Sequence, residues 1–276
     1  MIMNTIAITS HKEMPKFLQE INAVLTIAFR EIINTIKSPE KIIPTVIMQF
    51  MFLVFMGGGI SQNLGINMGF NFNEFMVVGM VINVLFMTTG QGITTLIEDR
   101  ENDFTQEIFV SPISRFSVII GKTIGASITA YIPFLATIIM GMFMGVSVGD
   151  GKLLTLLAIS PFICIVGSSI GVLLLGFIQK SSTMGVITMM VSMIQMFLGG
   201  ALFPINHSTG VIAFISHLMP MTYCLDFTRG IFYHGKPEYA QIVMYSPSFN
   251  LLIITVFTTL FFMMGTYFFV RSEKNK

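Results

Sequence analysis

Two cysteines, four histidines and fourteen carboxylates are the residues of this 276-residue chain most able to hold a metal or act on a substrate, and their spacing supports neither role. Cys164 falls in a long apolar run and Cys224 in a later, more polar segment. A bridge would need a close approach that nothing in the sequence indicates, so both suit space-filling as small apolar residues. His207, His217 and His234 share that later segment without metal-ligand spacing. Gly230 to Lys236 has the glycine and lysine spacing of a phosphate-binding loop but continues with Pro237, where Ser or Thr belongs. Gly121-Lys122-Thr123 has the right ending, but Phe116 stands where the first glycine should. Neither follows a soluble strand, so no nucleotide, metal or cofactor site and no catalysis are expected on this chain.

What does stand out is a block that mixes charge with exposed apolar residues. It runs Glu98-Asp99-Arg100-Glu101-Asn102-Asp103-Phe104-Thr105-Gln106-Glu107-Ile108-Phe109-Val110-Ser111-Pro112-Ile113-Ser114-Arg115, with Gly121-Lys122 beyond it. Ile108, Phe109, Val110 and Ile113 form a short apolar group, and a short amphipathic helix presenting such a group to water needs a partner groove. The alternative is a solvated loop whose apolar group rests on a membrane surface.

Two polar stripes offer a second candidate site. Met76, Met80, Asn83, Met87, Gln91 and Thr94 recur three or four apart, as do Thr188, Ser192 and Gln195, which Met189, Met193, Met196 and Gly200 flank. Methionine suits a surface that accepts varied apolar shapes. Ser, Thr, Asn and Gln stripes also serve as hydrogen-bonding glue between membrane helices, and the spacing leaves both roles open.

The elements that must position these residues are six long apolar stretches: Ile42 to Ile60, Phe75 to Leu96, Val118 to Val146, Leu153 to Ile178, Met184 to Phe203 and Phe249 to Val270. Each is about 19 residues or more, enough at about 1.5 Å per residue to span a hydrocarbon core of about 30 Å. Hydrophobic residues are 53% and charged residues only 11% of the chain, against about 25% charged in soluble domains. An ion pump usually carries buried charge on its path. Here only Lys122 enters a stretch, near enough to its end to snorkel, so energy for any pumping is expected from elsewhere.

Charge placement sets the expected topology. With the first 41 residues inside the cell, twelve of the fifteen basic residues are cytoplasmic, and only Lys152, Arg229 and Lys236 lie outside. The positive-inside rule therefore puts both termini in the cytoplasm. The net charge of +1 gives no indication of nucleic acid. The first 41 residues lack a signal-peptide core. They carry Phe17, Ile21, Val24, Leu25, Ala28, Ile32 and Ile36 at helical spacing, which predicts an amphipathic helix in the membrane interface. Ser38-Pro39-Glu40 then turns the chain into the first span. The expected organisation is a cytoplasmic N-terminus over 1–41, a membrane domain over 42–270 and a cytoplasmic tail over 271–276. Pro133 and Pro161 should kink spans three and four. Between spans five and six, Ile205 to Asn250 is expected outside, with Val211 to Met219 dipping part-way in as a re-entrant helix.

The charged loop resembles the permease subunits of the ABC type-2 exporters. Their corresponding loop runs acidic-Arg-Glu, a Gly-Phe or Gly-Thr pair, Glu, an apolar triplet, then Ser/Ala-Pro-x-Ser-Arg and a later Gly-Lys. Asp103 departs from the usual glycine. Leu198-Gly199-Gly200-Ala201-Leu202-Phe203-Pro204-Ile205, Met219-Pro220-Met221-Thr222-Tyr223 and Asp226-Phe227-Thr228-Arg229-Gly230 are similar to that family's end of span five and re-entrant outer segment. The resemblance implies an all-α permease of six transmembrane helices in a bacterial cytoplasmic membrane. It also implies a homodimer or a heterodimer with a homologous permease, and two separate ATPase subunits that hold ATP and Mg. Glu98, Arg100, Glu101, Phe104, Glu107, Ile108, Phe109, Pro112 and Arg115 would then contact the ATPase, while Asn83, Met87, Gln91, Thr188, Ser192, Gln195 and Met196 would line the substrate path. Drug, antibiotic or lipid-like cargo is expected. A polysaccharide or teichoic-acid exporter should show an aromatic-lined channel, whereas this chain has no Trp and six Tyr. A sensory or structural membrane protein is the alternative outside transport.

Overall fold

The structure, a computed structural model, describes residues 15–60, 69–102, 114–147, 149, 151–206 and 208–274, and every regular element among them is helical. In chain order these are α1 (Lys16–Lys37), α2 (Pro39–Phe52) with a π-helical continuation (Leu53–Ile60), α3 (Phe72–Gly92), α4 (Thr95–Glu101), α5 (Arg115–Phe143) and α6 (Lys152–Leu175). They continue with α7 (Ser181–Leu198), α8 (Gly210–His217), α9 (Pro220–Phe232), α10 (Tyr239–Ile242) and α11 (Pro247–Lys274).

Six segments are long and apolar enough to cross a membrane: Pro39–Gly59, Phe72–Glu101, Arg115–Phe143, Lys152–Leu175, Ser181–Leu198 and Tyr239–Arg271. They coincide with the six apolar stretches to within a few residues, apart from the earlier start of the last. Helix boundaries follow local chemistry. Ser38 precedes a proline and leaves the helical region at φ −118° and ψ 68°, which ends α1, and Pro39 then starts α2 where its missing N–H costs nothing. Asn71 caps α3 by accepting from the Glu74 N–H at 3.1 Å, and Ser114 caps α5 by accepting from the Ser117 N–H at 3.1 Å.

Spans two and four form the core. About four-fifths of span two is buried, against 17% of span one and 11% of span six, whose faces are left for lipid or another chain. Glycine sets the closest helix pairings. A Cβ on Gly167 would lie 2.4 Å from the Phe86 carbonyl oxygen, and one on Gly171 2.6 Å from that of Gly90, so α6 meets α3 through a small-xxx-small pair. Gly121 and Gly125 repeat this on α5, where a Cβ would meet α1 at the Val24 and Ala28 carbonyls, 2.9 and 3.0 Å away. The Gly121-Lys122-Thr123 segment, unsuited to phosphate, thus lets the N-terminal helix lie directly on span three.

That contact divides α1 into two faces. Ala23, Ile27, Ala28 and Glu31 are buried, while Phe17, Leu25, Phe29 and Ile36 are exposed. An exposed apolar stripe beside the ends of membrane helices suits burial in the headgroup region. The bundle has two ends: a basal one with α1, α4 and the starts of α5 and α7, and a distal one with α8, α9 and the starts of α3 and α6. Residues near the C-terminus return to the basal end, where Phe268 packs on Phe177 with centroids 4.8 Å apart. At the distal end α8 and α9 bend by 82° at Leu218–Met219, forming a bent helix hairpin where the re-entrant segment was expected.

Candidate coupling region and membrane cavity

At the basal end, charged residues from three helices that are far apart in sequence converge. Lys122 of α5 donates to Glu31 Oε2 at 2.6 Å and to Thr95 Oγ1 at 2.8 Å, and lies 2.7 Å from Asp99 Oδ2. Arg30 of α1 makes a two-armed contact to Asp99 at 2.6 and 3.2 Å. Lys122 and Glu31 are 2% and 4% exposed. The expected snorkelling of Lys122 is therefore overturned: its ammonium has two carboxylates and a hydroxyl inside the protein, which removes the drive to reach water. Glu20, also on α1, accepts from the N–H of Ser114, and the Ser117 hydroxyl holds its carboxyl below the usual value.

These contacts fix both ends of the charged loop. Of the residues expected to meet an ATPase, Glu98 accepts from Lys41 at 3.0 Å, and Glu101 accepts from the Ser181 N–H at 3.0 Å and from the Ser181 hydroxyl. Arg100 sits in the last turn of α4 and Arg115 opens α5. Phe104, Glu107, Ile108, Phe109 and Pro112 lie outside the described residues. The strand of chain on one side of the loop is thus tied to α1, α2, α5 and α7, and on the other to α1.

Above this network lies a cavity of about 310 Å³ between α1, α2, α3, α4, α5 and α7. Gln91, from the span-two stripe, lines it together with Thr88 and Thr94, with Met189 opposite. The other stripe residues are placed differently. Asn83 is buried and accepts from Gln49 Nε2 of α2 at 3.3 Å, and Gln195 accepts from the Met221 N–H of α9 at 3.3 Å. Thr188 is buried against Gly90, Ser192 and Met196 are buried, and Met87 is half-buried. α3 and α7 pack on each other, so the stripes belong to adjoining helices, but Asn83 and Gln195 bond to third helices rather than to each other. Among the described residues no group of three His, Cys, Asp or Glu side chains could hold a metal ion.

Residues 22–233, from α1 to the end of α9, match the ABC-2 type transporter family. The chain belongs to that family. Three similar proteins each carry the name "Putative transport permease ycf38". That of Cyanophora paradoxa is 23% identical over 225 residues, covering 80% of this chain and 76% of the relative. Those of Porphyra purpurea and Pyropia yezoensis are 22% and 23% identical over 234 and 232 residues, covering 83% and 82% of this chain and 79% and 78% of the relatives. The chain is thus a multi-pass membrane permease, and ABC-2 permeases normally pair with an ATPase subunit.

The distal end of this ABC-2 domain is organised by two charges that composition alone assigned only to an outer loop. Span five ends in a left-handed turn at Gly200 (φ 88°), closed by the Ala201 N–H on the Met196 carbonyl at 3.2 Å. Arg229 of α9 donates to the carbonyls of Gly200 at 2.8 Å, Ala201 at 3.3 Å and Phe75 at 3.4 Å, with its guanidinium 3.6 Å from the Phe75 ring centre. Asp226 accepts from the N–H groups of Met244 and Tyr245, both at 2.8 Å, and from Asn250 Nδ2 at 2.7 Å. One helix of the hairpin therefore locks spans two and five on one side and the start of span six on the other. Lys152 and Lys236 both reach Glu74 Oε1, at 2.7 and 3.2 Å, so all three basic residues outside the twelve gather at the distal end. Cys164 and Cys224 are buried and unbridged.

Proposed function

We propose that this permease forms the membrane half of an ATP-driven exporter that moves an amphipathic or lipophilic compound outward across a bacterial cytoplasmic membrane. ATP and Mg are held by two separate ATPase subunits, and a second permease copy or a homologue completes the path. The observation that carries the proposal is the anchoring of the charged loop. Glu98, Asp99 and Glu101 at one end and Ser114 at the other are bonded to α1, α2, α5 and α7. A force applied by an ATPase groove to the apolar group around Phe109 would then reach spans one, two, three and five together. Lys122, which enters span three, is paired with Glu31 and Asp99 at the basal end, and the middle of each span carries no charge, which agrees with energy supplied from outside the chain.

In this arrangement the basal end faces the cytoplasm, and outward movement follows when the two permease halves rearrange around the stripes of spans two and five. Methionine at positions 87, 189 and 196 offers a soft surface for apolar parts of the cargo. The test is reconstitution of the permease with its ATPase in proteoliposomes. ATP-dependent movement of a fluorescent cationic or lipid-like amphiphile, absent without Mg-ATP, is expected. ATP hydrolysis without movement of any such probe would reject the exporter assignment.

A further inference from the structure

α4 is a helix of seven residues, set apart from α3 by a turn in which the Thr94 N–H bonds to the Gln91 carbonyl at 2.9 Å. Two of its carboxylates leave it in opposite directions. Asp99 and Glu101 are two residues apart, about 200° around a helix, so they cannot share a face. On one side Asp99 meets Arg30 of α1 at 2.6 Å and Lys122 of α5 at 2.7 Å. On the other side both carboxylate oxygens of Glu101 are taken by Ser181 of α7, one by its N–H at 3.0 Å and the other by its hydroxyl.

The two attachments differ in kind. α1 and α5 are joined by the buried Lys122–Glu31 pair and by the close contacts at Gly121 and Gly125, a frame that is costly to break. α7 carries no charged residue, is 28% buried, and receives no side-chain cap from Lys180 at its own N-cap position. Glu101 supplies the missing acceptor from another helix, as a charge-assisted clasp on the first N–H of span five. We propose that α4 is a rocker that carries movement of the charged loop to span five, with Asp99 as its pivot on α1 and α5 and Glu101 as the positioning residue that grips Ser181. The Asp99 side holds still, and the Glu101 side moves the stripe of Thr188, Ser192 and Gln195 relative to span two. This role rests on the exporter assignment for the source of the force.

Ser181 can be changed without touching the charged loop. It is the first residue of α7, where proline is favoured, and Lys180 before it already holds the extended backbone that a following proline requires, φ −108° and ψ 131°. Ser181→Pro therefore keeps α7 helical while removing both donors to Glu101. The test uses the purified permease–ATPase complex in nanodiscs, in a background lacking Cys164 and Cys224, with bimane attached at Val186→Cys, an exposed position on α7. Mg-ATP should shift the bimane emission in this parent complex. In Ser181→Pro most of that shift should be lost, with the ATPase still retained in pull-down and thermal unfolding unchanged. Ser181→Ala, which keeps the N–H and loses the hydroxyl, should give a smaller shift than the parent. A full ATP response in Ser181→Pro, or in Ser181→Ala if the proline variant unfolds early, would overturn the rocker and leave the exporter assignment standing. A parent complex that forms but gives no response to Mg-ATP would also overturn it, whereas failure of any ATPase to associate would reject the exporter assignment and the rocker together.

Discussion

Lys122 of α5 and Glu31 of α1 face each other at 2.6 Å with side chains 3% and 5% exposed, 91 residues apart in sequence. The pair joins the N-terminal helix to span three, and Asp99 joins span two to both. A buried pair of this kind is costly to break from one side, because the remaining charge is stranded.

Lys122→Met and Glu31→Leu should each destabilise the protein by about 3 to 5 kcal/mol, while the double variant should lose less than the sum of the two. Thermal unfolding of all four proteins in one detergent provides the measurement. Strict additivity would show that the two charges do not depend on each other.

This pair also marks where the sequence stops being legible. The six spans could be read because a run of uncharged apolar residues suits only lipid or a deep core, and α1 because its apolar residues recur at helical spacing. The role of Lys122 could not be read, since its partners Glu31 and Asp99 lie on other helices and a lysine near a span end has snorkelling as its default. Gly121 and Gly125 gave a faint signal, a small-xxx-small pair that permits close packing without naming α1 as the partner. α9 showed in the sequence only through its resemblance to the family's re-entrant outer segment, because its buried face carries Thr222, Asp226, Thr228 and Arg229. Those side chains look like a solvated loop until the carbonyls ending span five and the N–H groups before span six are brought to them.

The stripe residues now have a sharper test. Asn83 bonds Gln49 and Gln195 bonds the Met221 N–H, so Asn83→Leu and Gln195→Leu should each cost about 0.6 to 2 kcal/mol if they serve only to hold helices together. If they also line the substrate path, the same variants should change which amphiphiles stimulate ATP hydrolysis. Unfolding and stimulated ATPase activity measured on one nanodisc preparation decide it. Lost stability with an unchanged substrate profile would return both residues to helix packing.

Topology can be checked independently of any substrate. In a background lacking Cys164 and Cys224, Lys236→Cys should react with a membrane-impermeant thiol reagent in intact cells, whereas Asn102→Cys and Lys274→Cys should not. This follows from the gathering of Lys152, Arg229 and Lys236 at the distal end and of most other basic residues at or beyond the basal end. The reverse labelling pattern would invert the orientation.

The central claim is that a separate ATPase drives this permease through the loop held between Glu101 and Ser114. The most direct measurement compares wild type with Phe109→Asp for retention of the ATPase in pull-down and for amphiphile-stimulated ATP hydrolysis of the purified complex. A carboxylate forced into a buried apolar groove without a partner costs several kcal/mol, so the account predicts that the variant folds and inserts normally but loses most of the ATPase and all stimulation. Full retention of the ATPase with wild-type stimulation in Phe109→Asp would contradict it.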